Sequence, residues 1–168
     1  MSIDISAADE QSAVSIDLAR WVDLARGALV DEGVRALAEV SLLFVDEDTM
    51  SELNGQFMGK VGPTDVLSFP IDDDPMPTGR VPDAGSSGPG DPPEPEIPQL
   101  VGDIVICPTV AARNAVDHEC SLDDELALLV VHGVLHLLGW DHMVDAEAER
   151  MEARERELLA RHYQASGA

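Results

Sequence analysis

The chain has 168 residues, of which 33 are acidic and 10 are Lys or Arg, so its formal net charge is −23 at pH 7. This length suits one domain over residues 1–168 with a single buried core. The charge argues against a protein that coats nucleic acid with its whole surface, because phosphate binding depends on clustered Lys and Arg. Any RNA contact must therefore be local.

No segment of the sequence predicts a membrane span or secretion. The longest apolar run, from Leu126 to Trp140, contains two histidines and is shorter than the roughly 20 residues that span a bilayer. The opening MSIDISAADEQ is polar and acidic, unlike a signal peptide. We expect a cytoplasmic protein without membrane contact, in which Cys107 and Cys120 are reduced thiols.

The first 70 residues predict alternating strands and helices. SIDIS favours a short edge strand, and Gly33 follows a helix whose apolar positions share one face: Leu18, Trp21, Val22, Ala25 and Leu29. Ala38 to Val45 is typical of a core strand. Asp46 and Asp48 can cap a helix, and TDVLSFP, residues 64–70, predicts another strand.

A proline-rich acidic segment follows at about residues 72–98. This segment holds eight of the eleven prolines and seven acidic side chains. Such a composition cannot bury a core, so we expect a mobile solvated insertion, with a docking role for a partner as the alternative.

The second half predicts a strand and three helices. VGDIVIC, residues 101–107, is the strand, and PTVAARNAV begins a short helix. Ser121 is a candidate N-cap of an apolar helix that Gly139 ends. The last helix, DAEAERMEARERELLARHY, is predicted to be exposed, with charges that we interpret as a solvated face and i,i+4 pairs such as Glu157 with Arg161. Its apolar edge consists of Ala148, Met151, Leu158 and Leu159. The order of elements predicts an α+β fold, a small mixed β-sheet with helices packed on it.

Three histidines in HGVLHLLGWDH predict a metal site at the end of this central helix. His132 and His136 are four residues apart, so both project from one helix face. Gly139 allows the chain to reverse, which brings His142 toward the same ion. Three imidazoles without an obvious fourth ligand favour one zinc-like ion with an open position. The alternative is that Cys107, Cys120 or His118 supplies a fourth ligand and fills the open position, which would make the site structural.

The spacing HxxxHxxGxxH resembles the metzincin motif HExxHxxGxxH, whose glutamate is the general base of peptide hydrolysis. Position 133 is glycine, which has no proton acceptor. RNA carries its own nucleophile, the 2′-hydroxyl, and a metal that polarises the phosphate can do much of the remaining work. Gly133 therefore weighs against proteolysis more than against RNA cleavage.

The sequence resembles the YbeY family of bacterial rRNA maturation factors, metal-dependent single-strand endoribonucleases. The resemblance rests on HGVLHLLGWDH, LNGQFMGKVGPTDVLSFP and GDIVIC, in their family order, and covers about Ala38 to Tyr163. It implies an α+β fold and one Zn²⁺ ion held by His132, His136 and His142. It also implies action on single-stranded rRNA at the 3′ end of small-subunit rRNA, ribosome quality control, and the small subunit and its proteins as partners.

One departure concerns RNA binding. The family often carries an arginine, thought to contact RNA, at the position of Met58, so that role cannot be transferred. Lys60 and Arg113 are weak candidates for RNA binding. The alternative for Lys60 is that it is simply an exposed lysine in a loop, with no role in RNA binding. No catalytic acid or base is assigned.

Four polar residues are further candidates for lining the cleft: Thr64, Asp65, Ser68 and Asp103. Their alternative role is to satisfy backbone groups at turns and strand ends.

Two other functions stay open: a non-catalytic ribosome assembly factor with a structural zinc, and a metallopeptidase.

Overall fold

The computed structural model describes residues 3–34, 38–70, 99–140 and 145–163. The predicted insertion at about 72–98 and the predicted ligand His142 lie outside these residues. The elements within them follow the predicted order: β1 (Asp4–Asp9), α1 (Leu18–Asp31), β2 (Ala38–Phe44), α2 (Glu47–Met58), β3 (Val66–Pro70), β4 (Gln99–Ile106), α3 (Pro108–Asp117), α4 (Leu122–Leu137) and α5 (Asp145–His162).

The four strands form one mixed sheet in the order β1-β2-β4-β3. β1 pairs in parallel with β2, and β2 in parallel with β4. β3 pairs antiparallel with β4 in a register that runs from Val66 opposite Ile106 to Pro70 opposite Gly102. The predicted α+β fold with a small mixed sheet is confirmed, and both β1 and β3 are edge strands of this sheet.

Alternation along the strands divides the core between the two faces of the sheet. In β2 the buried positions Ala38, Val40, Leu42 and Phe44 belong to the main core, which also contains the buried residues of α1 and α4. The opposite face carries a smaller buried cluster that includes Met50 of α2: Val45, Met50, Leu67, Val105 and Cys107.

Helix α4 lies at the centre of the molecule and contacts α1, α3, α5, β3 and β4. It begins as predicted, since the Ser121 hydroxyl accepts a hydrogen bond from the backbone N–H of Asp124 at 3.0 Å. Gly139 follows the helix with φ 97°, a left-handed conformation that glycine adopts without strain. None of the described helices combines the length and the apolar character needed to cross a membrane.

The predicted apolar edge of α5 is confirmed at Met151 and Leu158, but the prediction that its charges form only a solvated face is wrong, because Glu155 is buried. Met151, Glu155 and Leu158 are buried on the side of α5 that packs against α4 and α1. The predicted pair of Glu157 with Arg161 is also wrong, because Glu157 pairs with Arg154, and Arg161 reaches Asp31 of α1 at 3.2 Å. Long side chains on α5 use tertiary partners in place of their i,i+4 neighbours.

Candidate metal and RNA site

His132 and His136 lie on successive turns of α4, as their spacing predicts. Their ring centroids are 4.6 Å apart, with an interplanar angle of 78°. His132 Nδ1 lies 2.5 Å from the Glu155 carboxylate oxygen Oε2. Two imidazoles held this closely on a rigid helix can serve the same ion.

The two histidines line a cavity of about 340 Å³ between α4 and the edge strand β3. The other lining residues come from β3 and the turn before it: Asp65, Val66, Leu67, Ser68 and Pro70. The Ser68 hydroxyl donates a hydrogen bond to the carbonyl oxygen of Gly133 at 3.4 Å, which links the strand to the helix between the two histidines. The sequence candidates Asp65 and Ser68 are thus brought beside His132 and His136.

Gly133 is a packing position. A Cβ atom placed on Gly133 would lie 2.8 Å from Cγ2 of Ile104, a fully buried residue of β4. No real Cβ contact is that short, so α4 approaches the sheet here because position 133 has no side chain. A glutamate at this position would meet Ile104 in the same way.

The structure places two of the three predicted ligands. His142 falls in the segment 141–144, outside the described residues. In the ranges that are described, no three His, Cys, Asp or Glu side chains gather in a group that could hold a metal ion. The three-histidine site therefore stays a prediction.

Trp140, the last described residue before His142, is anchored by hydrogen bonds. Trp140 Nε1–H donates a hydrogen bond at 3.1 Å to Glu32, the C-cap residue of α1, and Arg154 of α5 donates to the other oxygen of the same carboxylate. The backbone N–H of Trp140 also bonds the Leu135 carbonyl at 3.0 Å. These contacts hold Trp140 and the turn that follows α4 against α1 and α5.

Asp65 is held by several donors in the cavity wall. Oδ1 accepts from the backbone N–H of Val66 at 2.8 Å and from the Thr64 hydroxyl at 3.4 Å, while Oδ2 accepts from the Asn114 side chain at 3.1 Å. Both carboxylate oxygens are therefore committed to protein donors. The sequence predicts that Thr64 and Asp65 either line the cleft or satisfy hydrogen-bonding groups at the turn. These bonds favour the second role.

The candidate fourth ligands lie away from the histidine pair. His118 Nδ1 lies 2.8 Å from Glu125 in the first turn of α4, and the Cys120 thiol lies 3.7 Å from the same carboxylate oxygen. Cys107 is fully buried in the cluster on the opposite face of the sheet. Burial raises the pKa of both thiols above the usual value, which disfavours the thiolate that binds metals.

The candidate RNA contacts differ in their surroundings. Lys60 is exposed just after α2, and Met58 is 43% exposed at the end of that helix. Arg113 forms an ion pair with Glu47, so its charge is already partly balanced. Asp103 lies on the opposite face of the sheet and lines a different cavity with Phe57 and Phe69.

Glu155 is the residue that the sequence interpretation missed. Its side chain is 8% exposed and contacts His132 from α5, 23 residues along the chain. The missed signal is its place in the stripe Met151, Glu155, Leu158, where α5 turns one face inward. A carboxylate at such a position requires a buried partner.

The comparisons with known proteins agree with this architecture. The profile of the family described as Endoribonuclease YbeY matches residues 5–163. The chain is 46% identical over 160 residues to the endoribonuclease YbeY of Salinispora tropica, which is 95% of each protein. It is 43% identical to that of Thermobifida fusca, covering 95% of this chain and 93% of the relative.

A solved structure supports the fold alone. The solution structure of TM1509 from Thermotoga maritima superposes with a TM-score of 0.55 over 99% of this chain and 98% of that protein, at 24% identity.

Proposed function

This chain belongs to the endoribonuclease YbeY family, whose members are RNA-cleaving hydrolases, and from that premise we propose a more specific function. The protein is a zinc-dependent endoribonuclease that cuts single-stranded RNA in the maturation of the 3′ end of small-subunit rRNA and in ribosome quality control. It acts in the cytoplasm, and its partners are the small ribosomal subunit and its proteins.

The observation that carries the proposal is the histidine pair facing the cavity beside β3. His132 and His136 lie on successive turns of a buried helix, and both line the 340 Å³ cavity. This volume lies toward the lower end of the range for small-ligand sites, about 300–1,000 Å³. A cleft of this kind suits a single strand, whose bases and phosphates can be splayed apart, better than a duplex.

The residues present fit a zinc-like ion. Imidazole nitrogens suit zinc, and His132 already has its Nδ1 bonded to a carboxylate, as metal-binding histidines usually do. His142, three residues beyond Gly139, is the proposed third ligand. A zinc ion bound there supplies a Lewis acid for a phosphate oxygen and acidifies a water molecule.

The chain's own residues then bind and orient the RNA. Ser68 places a hydroxyl group in the cavity wall, and β3 presents backbone hydrogen-bonding groups at the edge of the described sheet. Gly133 contributes no proton acceptor between the two histidines, so the proton of the nucleophile would pass to a water molecule in the cavity, and RNA has the advantage that it brings its own nucleophile. The ribose 2′-hydroxyl of RNA is such a nucleophile.

The charge of the protein supports docking on the ribosome as the source of affinity. The net charge is −23, and Arg113 is paired with Glu47. Electrostatic attraction to free RNA depends on unpaired cations, so it is weak here. The small subunit and its proteins would present the RNA to the cavity.

Chelation tests the proposal. The purified protein is dialysed against a chelator and then supplied with zinc or with magnesium, and cleavage of a labelled RNA that contains the small-subunit 3′ end is followed in each state. We expect activity to disappear on chelation and to return with zinc. Cleavage that is unchanged after exhaustive chelation would overturn the zinc dependence.

The acidic surface and Met58 also favour a second candidate, a non-catalytic assembly factor with a structural zinc. It predicts that zinc-loaded protein binds the small subunit but leaves the RNA uncut, even on assembling particles. Zinc-restored cleavage excludes it. The metallopeptidase alternative is disfavoured because the position of its catalytic glutamate packs against Ile104, and a peptide digest tests it.

A further inference from the structure

A buried carboxylate on α5 supports the histidine pair from outside the cavity. Glu155 lies between Met151 and Leu158 in the inward stripe of α5, and the residue is buried. Removing a carboxylate from water is costly unless it gains strong hydrogen bonds. The partner it has is one of the two histidines of the candidate site.

The contact selects one nitrogen of that histidine. His132 Nδ1 lies 2.5 Å from Glu155 Oε2, a short hydrogen bond in which the imidazole N–H donates to the carboxylate. A neutral imidazole carries one N–H, so a proton on Nδ1 leaves Nε2 as the nitrogen with a lone pair. His132 also lines two cavities, one shared with His136 and one shared with Glu155 and Met151. The ring thus stands between the proposed metal site and α5.

We propose that Glu155 is a positioning residue of the metal site. Its carboxylate accepts the Nδ1–H of His132, which fixes the Nε2-binding tautomer and the orientation of the ring toward the ion. The inference rests on the proposed function, since it concerns a ligand of the proposed zinc. It also gives α5 a role in the site although α5 supplies no predicted ligand.

The chain contains a matched control. Glu125 is also a buried glutamate, 2% exposed, and it bonds Nδ1 of a histidine, His118, at 2.8 Å. It lies on α4 itself but in the first turn, seven residues before His132, which is about 10 Å along a helix axis. Loss of Glu125 removes the same kind of bond without touching the proposed ligands.

The test compares Glu155→Gln, Glu155→Ala and Glu125→Gln for zinc affinity, measured by competition with a chromophoric chelator. Loss of such a supporting carboxylate typically weakens metal binding by about 10- to 100-fold. We expect that loss for Glu155→Ala and a smaller one for Glu155→Gln, whose amide oxygen still accepts the N–H. Glu125→Gln should bind zinc like the wild type.

A second readout concerns the tautomer. Nitrogen-15 NMR of the zinc-loaded protein should show His132 protonated at Nδ1 and coordinated through Nε2. In Glu155→Ala the His132 signals should broaden or shift while the helical content measured by circular dichroism stays at the wild-type value. A contact that only stabilises the packing of α5 would not change the tautomer.

The outcomes separate this inference from the proposed function. Folded Glu155 variants with wild-type zinc affinity, or a His132 coordinated through Nδ1, would overturn the positioning role and leave RNA cleavage untouched. Wild-type protein that binds zinc and loses it in Glu155→Ala, but cuts no RNA, would support the positioning role and refute the function. Wild-type protein that binds no zinc would overturn both.

Discussion

Replacing Gly133 with alanine tests whether α4 is seated on the sheet as closely as the structure has it. The added Cβ would lie 2.8 Å from Ile104 Cγ2 and 3.4 Å from both Cγ1 and Cδ1. Ile104 is fully buried in β4, which pairs with strands on both sides, so it has little room to move. Overpacking a core costs about 1–3 kcal/mol.

Helix propensity opposes this cost. Alanine is favoured over glycine inside a helix by about 1 kcal/mol. We therefore expect Gly133→Ala to lower the free energy of unfolding by about 1 kcal/mol, the middle of the overpacking range less the propensity gain. For a chain of this size that change lowers Tm by about 2–4 °C.

Gly55 provides the control for propensity alone. It lies inside α2, and among the described residues a Cβ there would meet only the Lys60 carbonyl oxygen, at an ordinary 3.6 Å. Gly55→Ala should therefore raise the free energy of unfolding by up to about 1 kcal/mol. Both variants are measured by urea denaturation followed by circular dichroism, with a chelator present so that metal binding does not alter the stability.

A double-mutant cycle identifies the contact. Ile104→Ala removes all three atoms that the new Cβ would meet, so Gly133→Ala should become stabilising in that background, with a coupling energy of about 1–3 kcal/mol. If Gly133→Ala stabilises the otherwise wild-type protein as much as Gly55→Ala does, the close approach of α4 to β4 is refuted.

Two further predictions concern charge. Met58→Arg places a cation at the position where the resemblance to the family predicts an RNA contact, so we expect tighter RNA binding and a salt slope steeper by about 0.7. Val30→Arg, at a 57% exposed site on α1, should have a smaller effect, and equal effects of the two variants in filter binding would mean that only net charge matters. The hydrogen bond that His118 donates to Glu125 raises the pKa of His118 above its usual value of 6.5, so this pair's contribution to stability is full below about pH 6.5 and is lost as pH rises through the raised pKa. An NMR titration should show the pKa of His118 falling in Glu125→Gln, and an unchanged value would contradict the pairing.

Local patterns predicted the elements because each depends on neighbours in sequence. Asp46 caps α2 through the N–H of Thr49 at 2.8 Å, and Gly139 takes the left-handed conformation that ends α4. The order of strands and helices followed from the switch between periods of two and 3.6 residues. The four-residue spacing likewise placed His132 and His136 on one face of a helix.

Tertiary partners could not be predicted in the same way. The contact of Glu155 with His132 and the bonds of Glu32 to Trp140 and Arg154 join helices that are distant in sequence. In a segment as rich in charge as α5, a buried glutamate looks like its solvated neighbours. Its stripe position marks it as inward, but the sequence does not say which residue it meets.

The most direct test of the zinc-dependent endoribonuclease is a cleavage time course on a labelled single-stranded RNA with protein of known zinc content. Wild type is compared with His136→Ala and with His118→Ala, which alters the C-cap histidine of α3 that contacts Glu125 in the first turn of α4. We predict that wild type and His118→Ala cut the RNA, while His136→Ala, folded by circular dichroism, does not. Cleavage by His136→Ala at the wild-type rate would contradict the zinc-dependent endoribonuclease, as would zinc-loaded wild type that leaves the RNA intact both free in solution and in assembling small subunits.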